Sequence, residues 1–156
     1  MTTSHMKRWF TGAVGVPLIY AVLFYGPEEL FSLVVVVLIL MTVTEYNRLA
    51  FGTGFSREKA VVLVAALLIP VAFAVGDPHY ALLMIVFSVM SVFFFFLLSI
   101  KDASFALAPV GKSIVGIVYI PLLLSFFIPL RHATNGPLWI SLALVIAFCG
   151  DMTAYY

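Results

Sequence analysis

The chain has 156 residues, of which 64% are hydrophobic and 10% charged, against about 45 to 50% apolar and about 25% charged in a typical soluble domain. So few polar groups cannot cover a water-facing exterior, whereas an apolar exterior is stable when lipid is the solvent, so the composition predicts an all-α, polytopic transmembrane helical bundle. Eight Lys and Arg against seven Asp and Glu leave a net charge of +1, no surplus for neutralising a nucleic-acid backbone, which argues against that partner.

Met1 to Met6 are polar and read as a loose tail or tag remnant, leaving residues 7–156 as the transmembrane helical domain. Lys7 and Arg8 precede an apolar run with no small-residue cleavage site after it, so the first segment reads as an uncleaved helix. Apolar runs then cover residues 9–25, 30–44, 60–75, 80–100, 114–130 and 137–156, which makes about six spans. A helix rising about 1.5 Å per residue needs about 20 residues to cross roughly 30 Å of hydrocarbon. The second and third runs are short, so they must borrow flanking residues, tilt, or sit inside the bundle. Turn chemistry marks the joints at Gly26-Pro27, Gly52-Thr53-Gly54, Gly76-Asp77-Pro78, Ala108-Pro109 and Asn135-Gly136-Pro137.

Basic residues accumulate on cytoplasmic flanks. With the N-terminus in the cytoplasm, Lys7, Arg8, Arg48, Arg57, Lys59, Lys101 and Lys112 fall inside and only Arg131 falls outside. Pro17, Pro70, Pro121 and Pro129 lie within spans, where each removes a backbone donor and can kink the helix. Phe93 to Phe96 surround their helix and read as lipid-facing or packing bulk. The single cysteine, Cys149, has no internal partner, which excludes an internal disulfide and a cysteine-based zinc cluster. In its apolar run it is expected to be a small buried hydrophobe.

Most charged residues are explained as loop solvation. Glu45 and Arg48 are spaced to share one helix face at the end of the second span, where they are read first as an ion pair that satisfies both groups and second as substrate contacts. Asp151 follows an unbroken apolar stretch; about fourteen steps of about 1.5 Å from Pro137 carry it roughly 21 Å into the membrane, to its cytoplasmic third. An acid at that depth is costly enough to suggest function. Gly111-Lys112-Ser113 lacks the upstream glycine of a phosphate-binding loop, since that position is Ala106. Lys112 is left to snorkel to the interface or to meet a lipid phosphate. His5, His79 and His132 have no helical ligand spacing. The last segment stops at Tyr156 without a basic flank or polar tail, so the chain reads as cut from a longer protein.

The whole chain resembles the N-terminal part of bacterial phosphatidate cytidylyltransferases. Lys7-Arg8 with Thr11 and Pro17 opens the first span, Glu45-Tyr46-Asn47-Arg48-Leu49 closes the second, Tyr119-Ile120-Pro121-Leu122-Leu123 lies in the fifth, and Asp151-Met152-Thr153-Ala154-Tyr155 stands at the end. The resemblance implies an enzyme of the bacterial inner membrane that makes CDP-diacylglycerol and pyrophosphate from phosphatidate and CTP, in phospholipid biosynthesis. It implies a catalytic Asp151, a substrate contact from Tyr155 and a Mg2+ cofactor; Lys112 joins the expected substrate contacts on its own position, as a lysine facing the cytoplasm. The ligands of that metal are unassigned in this chain and are expected beyond Tyr156, in a basic loop and further acidic residues, so the chain alone is expected to be inactive. A homo-oligomer is left open. The competing readings are a transporter fragment, for which the prolines should pair between two inverted halves, and a non-catalytic membrane subunit, for which no acid should be buried in the last span.

Overall fold

A computed structural model of the protein describes residues 15–54, 56–99 and 107–155. The expected tail at Met1 to Met6, and Lys7, Arg8 and Lys101, lie outside the described residues. The elements are α1 (Gly15–Tyr25), α2 (Glu28–Phe51), α3 (Arg57–Val75), α4 (Pro78–Ser99), α5 (Leu107–Ile117), a π-helical turn (Val118–Leu122), α6 (Leu123–Ser125), α7 (Phe127–His132) and α8 (Gly136–Tyr155). No strand forms among the described residues.

The fold is the expected transmembrane helical bundle, with a different division of spans. Among the described residues four stretches are long and apolar enough to cross a membrane, at residues 28–51, 57–75, 79–97 and 108–132, and two shorter apolar helices lie at residues 15–25 and 136–151. The second span is not short. It runs for 24 residues because the helix continues through Glu45, Asn47 and Arg48 to Phe51 after hydropathy has fallen.

Helix ends follow the local chemistry. At Gly52, with φ +76°, the chain enters the left-handed region that L side chains disfavour, and α2 stops. Ser56 opens α3 from an extended backbone, its hydroxyl accepting the Lys59 N–H at 3.4 Å, with Glu58 in the first turn against the helix dipole. Gly76, at φ +87°, closes α3 through its N–H to the Phe73 carbonyl. Asp77 accepts the His79 N–H at 2.8 Å, and Pro78, which has no N–H to lose, takes the first position of α4.

The fifth expected span is interrupted. Pro121 cannot donate to the ladder, and the helix widens into the π-helical turn around it. Ser125 Oγ donates to the Pro121 carbonyl at 2.5 Å. Pro70, by contrast, is accommodated inside the continuous α3.

The described parts of the chain fall into two compact units, one within Met1–Phe31 and Leu130–Tyr156, the other being Ser32–Pro129. In the larger unit α3 is central and packs against α4, α5, the π-helical turn and α6. Ala65, Ala66 and Ala72 are buried along α3, with Val62 before them and Ile69 between. Lipid tails are as apolar as leucine, so close backbone approach over small residues, rather than removal of oil from water, holds such helices together. Most of α4 faces outward, including Phe93, Phe94 and Phe95, while Phe96 turns in, as expected of packing and lipid-facing bulk. Cys149 corrects its expectation: it is exposed on α8. Leu142, Val145, Ile146 and Phe148 of the same helix are exposed too. In a lipid-solvated helix an apolar character does not compel burial.

Candidate functional site

The C-terminal end of α2 gathers polar groups from three helices of the larger unit. Tyr46 Oη donates to the Lys112 carbonyl at 2.8 Å, and Lys112 Nζ donates to the Ala50 carbonyl at 2.9 Å. These reciprocal bonds tie the end of α2 to the start of α5. They depend on Gly116, one turn further along α5, because a Cβ there would come within 2.6 Å of Tyr46 Cε1 and 3.2 Å of Val62 Cγ1. The Ala50 carbonyl is one of the last of α2, which lack partners along the helix, and a cation at that end also opposes the helix dipole.

A second latch closes the α2–α3 loop. Lys59 Nζ donates to the Gly52 carbonyl at 2.5 Å and to the Gly54 carbonyl at 2.6 Å. Gly54 has φ +106°, a conformation that strains any residue with a Cβ. Asn47, 3% exposed, donates from Nδ2 to the Lys59 carbonyl at 3.2 Å, while its Oδ1 is buried without a partner. The hydroxyl of the buried Ser113, beside Lys112, is likewise unpaired.

Beside the second latch is an open cleft of about 300 Å³, lined by Thr44, Asn47, Arg48, Gly52, Thr53, Gly54, Lys59 and Leu63. Arg48 is exposed and makes no hydrogen bond or ion pair among the described residues. The expected Glu45–Arg48 pair is therefore corrected: their spacing permits contact, but in water at a helix end the gain from pairing is small and both side chains stay free. Lys59 is also more than loop solvation. Its two carbonyl bonds shape the loop, and the signal in the sequence is a lysine a few residues after a Gly-x-Gly turn.

The residues expected to carry chemistry fall in different units. Lys112 stands in the latch just described. Asp151 is exposed near the end of α8, in the smaller unit, with no hydrogen-bond partner among the described residues. Tyr155 belongs to α8, and its side chain lies outside the described residues. Among the described residues no three His, Cys, Asp or Glu side chains come together as a metal site. His79 pairs instead with Asp77 at 2.9 Å, and His132 with Glu28 at 3.4 Å.

In the smaller unit Arg131, the exception to the charge rule, has a structural use. Its guanidinium donates from Nη1 to the Pro27 carbonyl at 3.2 Å and from Nη2 to the Gly26 carbonyl at 2.5 Å. It also lies 4.9 Å from the centre of the Phe31 ring, a stacking that a guanidinium makes well. The α1–α2 turn is thus held by a side chain more than a hundred residues away in sequence.

No curated protein and no solved structure matches the chain significantly. A model of the cytidylyltransferase family matches residues 6–156, and the chain, a transmembrane helical bundle over nearly all of that range, belongs to the cytidylyltransferase family.

Proposed function

We propose that the protein joins phosphatidate to CTP, giving CDP-diacylglycerol and pyrophosphate in the synthesis of membrane phospholipid. The observation that carries this reading is family membership across residues 6–156 on a transmembrane bundle. A cytidylyltransferase needs a cytidine nucleotide, which is a water-borne polyanion, and a helical bundle set in lipid has the lipid as its natural second substrate. The two meet at a membrane surface. Arg48, Lys59 and Lys112 supply positive charge at one such end, the charge rule supports a cytoplasmic position for it, and the resemblance to bacterial phosphatidate cytidylyltransferases supports a bacterial inner membrane.

The reaction forms a bond between a phosphate oxygen of phosphatidate and the α-phosphorus of CTP. The bond from that phosphorus to the bridging oxygen breaks, and pyrophosphate leaves with its electron pair. Lys112 uses one of its three donors on Ala50, so two remain for a substrate phosphate. Asp151 is proposed as the catalytic acid residue of α8, with Tyr155 one turn later as a substrate contact. Among the described residues no three His, Cys, Asp or Glu side chains come together to hold the Mg2+ that the resemblance implies; Asp151 could offer it one carboxylate, and such an ion takes its other ligands from water and substrate phosphates or from a second carboxylate.

Membranes carrying the full-length protein should incorporate labelled CTP into CDP-diacylglycerol, and Asp151→Asn should lower that rate at least tenfold, a rise of about 1.4 kcal/mol or more in the barrier. Folded protein that makes no CDP-diacylglycerol would sink the reaction. A variant with wild-type turnover would remove Asp151 from it.

A further inference from the structure

We propose that the cleft between α2 and the α2–α3 loop is a binding subsite for a phosphate group carried on a lipid, with Arg48 as its principal cation. The inference does not depend on the reaction proposed above, because it concerns binding alone. It rests on three observations at one place. First, Arg48 lines the cleft, is exposed, and makes no hydrogen bond or ion pair among the described residues. A guanidinium presents its donors as a planar fork that matches phosphate oxygens two at a time.

Second, Lys59 is fixed in the same wall by its bonds to the Gly52 and Gly54 carbonyls, which leaves one ammonium donor and the whole positive charge in place. Third, Asn47 is 97% buried by the complement of its 3% exposure, and its Oδ1 lacks the donor that a buried carbonyl oxygen requires. A phosphomonoester near neutral pH offers both what the cations and what Asn47 lack. Its charged oxygens accept from Arg48 and Lys59, and in its singly protonated form its hydroxyl can donate to the amide after a small side-chain movement. The second pKa of such an ester is about 6, so both forms are present.

The cleft distinguishes a lipid phosphate from a soluble one by what lies beneath the cations. Thr44 and Leu63 line it on the membrane side, each more than one helical turn inside its span. The Thr44 hydroxyl donates back to the Met41 carbonyl at 2.7 Å, so its proton is already used within the helix. Leu63 is apolar. A ligand here therefore meets cations at the aqueous rim and hydrocarbon below, the order of groups in a phospholipid, and the volume of about 300 Å³ lies at the small end of ligand sites. It suits a headgroup and its glycerol, with the acyl chains left in the bilayer.

The test uses the full-length protein in detergent micelles, exposed to equal phosphatidate and phosphatidylcholine, with retained lipid read by native mass spectrometry. Wild type should retain phosphatidate preferentially. Arg48→Gln should reduce that retention about tenfold, the loss expected for a charge-assisted bond pair, and Arg48→Lys should restore part of it. Equal retention by wild type and Arg48→Gln would overturn the proposal. So would millimolar inorganic phosphate or CTP that displaces phosphatidate as well as added phosphatidate does, since the ligand would then be a soluble phosphate. A photoactivatable phosphatidate on the unaltered protein supplies the independent measurement: adducts should concentrate in residues 44–63, and adducts elsewhere with none in that stretch would overturn it.

Discussion

Two arginines, Arg131 and Arg48, show how differently this chain uses the same side chain. Arg131 has the Gly26 and Pro27 carbonyls and the Phe31 ring around its guanidinium, so its charge is used within the fold. Arg48 stands in the last turn of α2, exposed and without a partner among the described residues. At the Gly26-Pro27 turn the Pro27 carbonyl already takes the Phe31 N–H at 3.2 Å, and the Arg131 guanidinium adds a second donor there and serves the Gly26 carbonyl. The loop after α2 already has Lys59 on its carbonyls. Arg48 is thus surplus to the local fold, and a cation surplus to the fold is where a ligand is to be sought.

The largest effect should come from the arginine the fold uses. Arg131→Met keeps a long apolar stem but removes the donor on the Gly26 carbonyl and the second donor on the Pro27 carbonyl, which keeps the Phe31 N–H, and it removes the charge from Phe31. We expect a loss of about 2 kcal/mol, from about 1.5 for bonds to a charged group and about 0.5 for the ring, since the site is partly open to water. A thermal unfolding midpoint in detergent lower by several degrees would show it. An unchanged midpoint would mean that water serves those carbonyls as well as the guanidinium does, and the contrast with Arg48 would lose its basis.

That contrast was only half legible in the sequence. Charge counting marks Arg131 as an exception but cannot show its use, because the carbonyls it reaches belong to residues more than a hundred positions away. Joints are better written, since Gly52, Gly76 and Asp77-Pro78 act through their own backbone and need no partner. The length of α2 is hidden because hydropathy falls at Glu45 while helix geometry continues to Phe51. Pro121 announces a disturbance in the fifth span, but its form, a π-helical turn, depends on what packs around it. Cys149 and the Glu45–Arg48 pair mislead for one reason: composition and spacing state what a side chain can do, while exposure decides whether it does. For Asp151 a motif names the residue; Asn47 stands in a motif and Lys59 after a Gly-x-Gly turn, but that the two meet beside one cleft emerges only when α2 and α3 are brought together.

A smaller effect should follow at the latch between α2 and α5. Tyr46→Phe removes the donor to the Lys112 carbonyl and leaves the ring, against which Gly116 packs, in place. The expected loss is about 1 kcal/mol, half of that at Arg131, because the bond is neutral and the carbonyl can find water. A loss near 3 kcal/mol would instead identify the Tyr46–Lys112–Ala50 set as a buried network whose members depend on one another. That outcome would enlarge the part of this end that belongs to structure and narrow what is left for binding.

The smallest effect on stability is expected at Arg48 itself, and its smallness is the point. Arg48→Leu removes a charge that no other described residue uses, at an exposed position in a helix where leucine and arginine have similar propensity. The dipole at the end of α2 loses a favourable cation, worth about 0.3 to 1 kcal/mol when exposed, while leucine gains some apolar contact with lipid or detergent. The net change should stay within about 0.5 kcal/mol, below what Tyr46→Phe produces under the same conditions. A loss equal to that of Arg131→Met would show that Arg48 holds the fold after all, and the two arginines would then be alike. A neutral result accompanied by a loss of phosphatidate retention would separate the two roles within one side chain, because a group that leaves stability untouched can affect binding only through the ligand it meets.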